Sequence, residues 1–114
     1  MGHWHDVVDE LRDPARELRA AIPDTWSAGT RETQAAMAEG ALPARTKELI
    51  ALAIAVVEQC DGCIAFHARS AVKAGVTPEE VAEALGVAIS MRGGPARTYA
   101  PRAWAAYQEF RAGR

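Results

Sequence analysis

A nine-residue apolar run, Leu49–Val57, does most to limit how this chain of 114 residues can fold. It falls well short of the roughly 20 residues that a bilayer span requires, so protein has to bury it. Leu49, Ile50, Leu52, Ile54, Val56 and Val57 cover nearly every side of a helix drawn over Arg45–Gln59, which predicts a central, buried helix. Alanine is abundant and no other segment alternates apolar with polar residues as a strand would, so the fold class expected is all-α. Pro43 suits the first turn of this helix, and the Asp61-Gly62 pair is the expected hinge after it. A second helix then returns to Ala74, with Gly75 as its stop. Pro43–Gln59 and Cys63–Ala74 are thus expected to form a buried antiparallel hairpin.

The flanks read as helices too. Asp6–Ala21 has Val7, Val8, Leu11, Leu18 and Ile22 at or just beyond helical spacing, with Pro14 expected to break or kink it. Pro23 opens a further segment that reaches Gly40. Thr77-Pro78-Glu79-Glu80 is a start signal: Thr77 caps, Pro78 takes the first position and Glu80 completes a capping box. Gly93-Gly94-Pro95 ends that helix, and a last one carries Tyr99, Trp104, Tyr107 and Phe110. Together with Trp26, those aromatics are read as core or interface. His3 and His5 lie near a terminus and are expected to be solvated.

The length suits one domain, residues 1–114, able to bury a core without staples. A net charge of −2 argues against nucleic acid as a partner. The charge is uneven: from Arg92 to Arg114 there are five arginines and Glu109 as the one acid. That contrast suits solvated faces or complementary surfaces across an oligomer. No membrane span is expected. The acidic, signal-free start points to the cytoplasm, where a pair of thiols would cycle rather than stay oxidised.

The two cysteines, Cys60 and Cys63, stand in a C-x-x-C pair with His67 four residues further on. On a helix the three fall within about 60° of one another. Two sulfurs and a titratable base on one stripe suit dithiol–disulfide chemistry. With the second helix starting near Cys63, its free N–H groups and dipole favour a Cys63 thiolate, which predicts the lower pKa there. Glu48 lies 12 residues before Cys60, about 18 Å along a straight helix, which excludes contact between them. The hairpin returns His67 to within roughly 7–9 Å of Glu48 along the axis, where two long side chains can close the gap. A carboxylate there would orient the imidazole and raise its basicity. Three other readings stay open at this point. The thiols can be buried and unreactive. Cys60, Cys63 and His67 can be three zinc ligands without a good fourth. Glu48 can simply stabilise a helix N-terminus. No phosphate-loop or dinucleotide spacing occurs, so no flavin, haem or nicotinamide cofactor is expected and electrons must come from another dithiol.

A glutamate, eleven residues, then C-x-x-C-x-x-x-H, here Glu48 followed by Cys60-Asp61-Gly62-Cys63-Ile64-Ala65-Phe66-His67, resembles the AhpD-like, or carboxymuconolactone decarboxylase-like, family. Ala74-Gly75-Val76-Thr77-Pro78-Glu79-Glu80 and Gly93-Gly94-Pro95-Ala96 are similar to it as well. The resemblance covers about residues 23–99. It implies an all-helical fold that assembles as homo-trimers or hexamers, and reduction of hydroperoxides or disulfides with a dithiol protein as reductant. It further implies that Cys63 attacks peroxide, Cys60 resolves, and His67 with Glu48 relays protons, with no metal at the site. The best-characterised peroxidases of the family carry a further histidine where this chain has Gly62, which implies modest peroxide turnover here. The rivals are a non-redox acid/base enzyme of the lactone-decarboxylase type using His67 and Glu48, and a non-catalytic oligomeric helical module. The lactone decarboxylases do not rely on a C-x-x-C pair, so its presence argues against that activity.

Overall fold

A computed structural model describes residues 2–113 as six helices, with no strand among the described residues. They are α1 (His3–Ala21), α2 (Pro23–Met37), α3 (Ala44–Val57), α4 (Asp61–Lys73), α5 (Pro78–Arg92) and α6 (Gly94–Ala112). The all-α expectation holds. α4 lies in the middle, packed on α3, α6 and α1, while α5 closes against α3 and α6.

Small residues make this packing possible. α4 buries Ile64, Ala65, Ala68 and Ala71, and α6 turns Ala96, Ala100, Ala103, Ala106 and Tyr107 inward. Such alanine stripes let backbones approach closely while Leu52, Val56, Ile64 and Val81 fill the spaces between them. The capping box at α5 forms as read: Thr77 accepts from the Glu80 N–H, and Glu80 accepts from the Thr77 N–H. Tyr107 donates to the Val76 carbonyl at 2.5 Å and so ties the α4–α5 turn to α6. Gly94-Pro95, read as part of a breaker, instead open α6. Gly93 alone makes the turn, at φ 79°.

Several expectations change. Pro14 sits inside α1 without ending it. The carbonyl it leaves free belongs to Glu10 on the exposed side, where water can satisfy it, and buried Trp4, Val7 and Val8 anchor the helix. His5 is not solvated but buried, bonded to Glu109. α3 is central yet not buried all round, since Ile50 and Ile54 are exposed. α2 buries no residue, so Trp26 is not a core residue. The hinge also moves. Gln59, not Asp61-Gly62, takes the left-handed conformation at φ 57°. The N–H of Cys60 then bonds the Ala55 carbonyl and that of Gln59 the Val56 carbonyl, each at 3.1 Å. This is the glycine-type ending of a helix made without glycine, and Asp61 and Gly62 become the first turn of α4.

Candidate active site

The turn at Gln59 decides where the sulfurs stand. It makes Cys60 the N-cap of α4, with extended backbone at φ −108° and ψ 102°. Its sulfur accepts from the Cys63 N–H at 3.2 Å, one of the donors that a helix start leaves unpaired. Cys63, one turn inside the helix, meets the same sulfur at 2.6 Å. Both are free thiols, Cys60 half-buried and Cys63 exposed. The bond to Cys60, then partial desolvation, push the Cys63 thiol up to about 11. This runs against the depressed Cys63 pKa expected from the helix start. The N-cap sulfur is the one that the helix start favours as an anion, and the N-cap is Cys60, one turn earlier than the sequence suggested.

His67 follows Cys63 by one turn. Its Nδ1 lies 2.9 Å from Glu48 Oε2, so the hairpin closes the gap between them without a water. Both side chains are partly shielded, at 30% and 14% exposure. The bond to Nδ1 orients the ring and leaves Nε2 without a hydrogen-bond partner among the described residues. The structure therefore brings Cys60 to Cys63 and Glu48 to His67, while no hydrogen bond joins the two pairs. Among the described residues no three His, Cys, Asp or Glu side chains converge to hold a metal ion.

A third group belongs to this corner and was not evident from the sequence. Arg102 of α6 makes a two-pronged bond to Asp61, Nη2 to Oδ2 at 2.7 Å and Nε to Oδ1 at 3.3 Å. Its guanidinium also lies over the rings of Trp4 and Tyr99, at 5.3 and 5.4 Å. Asp61 directly follows the N-cap sulfur, and an unpaired carboxylate there would oppose a thiolate. Arg102 offsets that charge. The one available signal was the basic character of the C-terminal segment, read as a solvated face or a surface between subunits. Here its Arg102 pairs with an acid of the same chain.

Gly62 stands where the resemblance implied a further histidine. A Cβ at this position would meet Leu11 Cδ1 of α1 at 3.5 Å, an ordinary contact. A methyl group fits there.

Comparison with known proteins bears on the family and the fold. The model of the carboxymuconolactone decarboxylase family matches residues 23–106. An uncharacterized protein of Cupriavidus necator is 42% identical over 110 residues, covering 94% of this chain and 97% of the relative. An uncharacterized protein of Haemophilus influenzae is 53% identical over 105 residues, covering 91% and 92%. Among solved structures, the apo crystal structure of a carboxymuconolactone decarboxylase family protein from Legionella pneumophila superposes with a TM-score of 0.93 at 40% identity. That match spans 95% of this chain and 96% of the other.

Proposed function

Because the chain belongs to the carboxymuconolactone decarboxylase family, we propose that it is a thiol oxidoreductase of that family, reducing hydroperoxides or disulfides by a Cys60/Cys63 dithiol–disulfide cycle. The observation that carries this reading is the contact of two free sulfurs at the start of α4, one of them the helix N-cap. A carboxylate-oriented imidazole one turn away supports it.

We assign Cys60 as the attacking thiolate, because its sulfur caps the helix and accepts from the Cys63 N–H. Its sulfur attacks the terminal oxygen of the hydroperoxide. The S–O bond forms, the O–O bond breaks, and the alkoxide leaves as an alcohol on taking a proton. Cys60 is then a sulfenic acid. Cys63 must lose its proton to act next; we assign that step to His67, one turn further along α4, with Glu48 stabilising the imidazolium. The Cys63 sulfur displaces hydroxide from Cys60, which leaves as water. Two thiols have given up two electrons, and the peroxide has become an alcohol and water. An external dithiol protein restores the pair by exchange. Gly62 adds no further base, which favours disulfide exchange over fast peroxide turnover.

The functional unit in this reading is the whole chain, residues 1–114, assembled as a homo-oligomer of the trimer or hexamer type. The uncovered apolar side chains Ile50, Ile54, Val87 and Met91 support assembly, being large hydrophobics exposed on α3 and α5. A monomeric mass by light scattering at micromolar concentration would remove that part.

Thiol titration before and after one equivalent of hydroperoxide tests the reading. The wild-type chain should lose both thiols without crosslinking to another chain. Cys63→Ser should be oxidised once and stall as a trappable sulfenic acid, and Cys60→Ser should not react. The opposite pattern would return the attacking role to Cys63. No loss in any variant would leave an acid/base enzyme or a helical module in place of the redox reading.

A further inference from the structure

A groove of about 310 Å³ runs between α1 and α4, outside the residues assigned above. That is the small end of the range for ligand sites. Val8, Leu11 and Phe66 give it an apolar wall, and Leu11 and Phe66 are 38% and 37% exposed. Arg12, Arg16, Arg19 and Arg69 line the rest, and no carboxylate does. Arg12 and Arg16 pair outward with Asp9 and Asp13 on their own helix. Arg19 and Arg69 make no ion pair among the described residues, and Arg69 stacks on Phe66 with its guanidinium carbon 5.3 Å from the ring centre.

The groove borders the helix that carries the dithiol. Leu11 stands against Gly62, between the two cysteines in sequence. Phe66 is three residues after Cys63, about 60° around the helix from it. Along α1 the lining extends from Val8 to Arg19, roughly 16 Å at the helical rise, the reach of a medium acyl chain. An apolar wall with uncommitted guanidinium forks beside it matches one ligand chemistry: an aliphatic chain that carries a carboxylate, which the planar fork can bind with two bonds.

We propose that this groove binds a fatty-acyl carboxylate, its chain along Leu11 and Phe66 and its head on Arg19 and Arg69, and that the dithiol's preferred oxidant is a fatty acid hydroperoxide. The binding site stands by itself; the choice of oxidant rests on the redox reading above. The acid would leave as the hydroxy fatty acid, the two electrons coming from the Cys60/Cys63 pair as already balanced.

Calorimetric titration of the reduced wild-type chain with laurate, below its micellar concentration, tests the site without any turnover. Laurate should bind, dodecyltrimethylammonium should not, and added salt should weaken laurate binding. Arg19→Gln/Arg69→Gln, changed on the surface, should weaken it by roughly tenfold. Turnover tests the oxidant: the wild-type preference for linoleate hydroperoxide over tert-butyl hydroperoxide should collapse in the same variant. Absence of laurate binding, equal binding of the cationic amphiphile, or an unaffected double variant overturns the site, even if peroxide is still consumed. Laurate binding in a chain that consumes no hydroperoxide upholds the site and overturns the oxidant together with the redox reading.

Discussion

Glu48–His67 and Glu109–His5 are the same two groups joined in the same way, a carboxylate oxygen on an imidazole Nδ1, at 2.9 and 2.5 Å. Their surroundings give them opposite uses. The Glu109 carboxylate also accepts from the backbone N–H of Trp4 at 3.1 Å and of His5 at 2.6 Å. Those donors open α1, whose own N-cap, Gly2, has no side chain to satisfy them. Glu109 is therefore a cap supplied from α6, with the His5 ring tucked against Phe110 at 4.7 Å. Its acceptor sites are occupied, and the pair is shielded from water. Glu48 accepts one hydrogen bond, from a ring that is 30% exposed against 10% for His5 and lies one turn from Cys63. A carboxylate–imidazole pair does acid–base work when some capacity is left over and water or substrate can reach it. With its acceptors occupied and the site closed, it becomes a clasp.

The largest expected effect removes the imidazole at the open pair. His67→Ala should slow oxidation of the dithiol by hydroperoxide by roughly a hundredfold, read in single-turnover thiol loss. Glu48→Gln should slow it by about tenfold in the same assay, since it keeps the ring but loses the charge that supports it. Neither should lower the melting temperature by more than a few degrees. A stability loss in His67→Ala with an unchanged rate would make this pair a second clasp.

The converse holds at the closed pair. Glu109→Gln places an amide NH₂ among groups that all donate, which should cost about 2 kcal/mol. For a chain of this size the melting temperature should fall by roughly 10 °C. The rate per folded molecule should stay at the wild-type value. A large rate loss at a temperature where the variant is fully folded would tie α1 docking to the dithiol, through Trp4 and Arg102.

How each pair could be read from sequence differs for a physical reason. Glu48 and His67 are 19 residues apart on the two arms of one hairpin, where helical rise alone brings them together. His5 and Glu109 are 104 residues apart, and no periodicity connects the first and last helices. His5 was accordingly expected in water. The all-α class and the α5 capping box rest on local signals and were legible. The register of the dithiol corner was not. Glycine is the usual mark of a left-handed helix ending, and the glycine in view was Gly62, while the chain uses Gln59. That shift of the helix start moved the N-cap from near Cys63 to Cys60 and put the Cys60 sulfur at the cap. α2 has the apolar residues of a packed helix, but sequence does not reveal that none of them is buried within the described chain.

The smallest effect is the pH dependence of the clasp, and it separates a capping carboxylate from a titrating histidine. Burial alone would raise the Glu109 carboxyl. The hydrogen bonds from the His5 and Trp4 N–H groups and from the His5 ring outweigh it, and the net shift is below the usual 4.5. A carboxyl depressed in the folded state binds its proton more readily when unfolded, so its contribution is fully present above the unfolded value and is lost as the pH falls through the folded one. The stability difference between wild type and Glu109→Gln should therefore stay level from neutral pH down to about 5 and shrink only below about 4.5. Denaturant midpoints at a series of pH values measure it. If the difference instead changed between about pH 6 and 7, an imidazole would control the clasp. The closed pair would then be a charge switch, and the contrast with Glu48–His67 would have to rest on access to solvent alone.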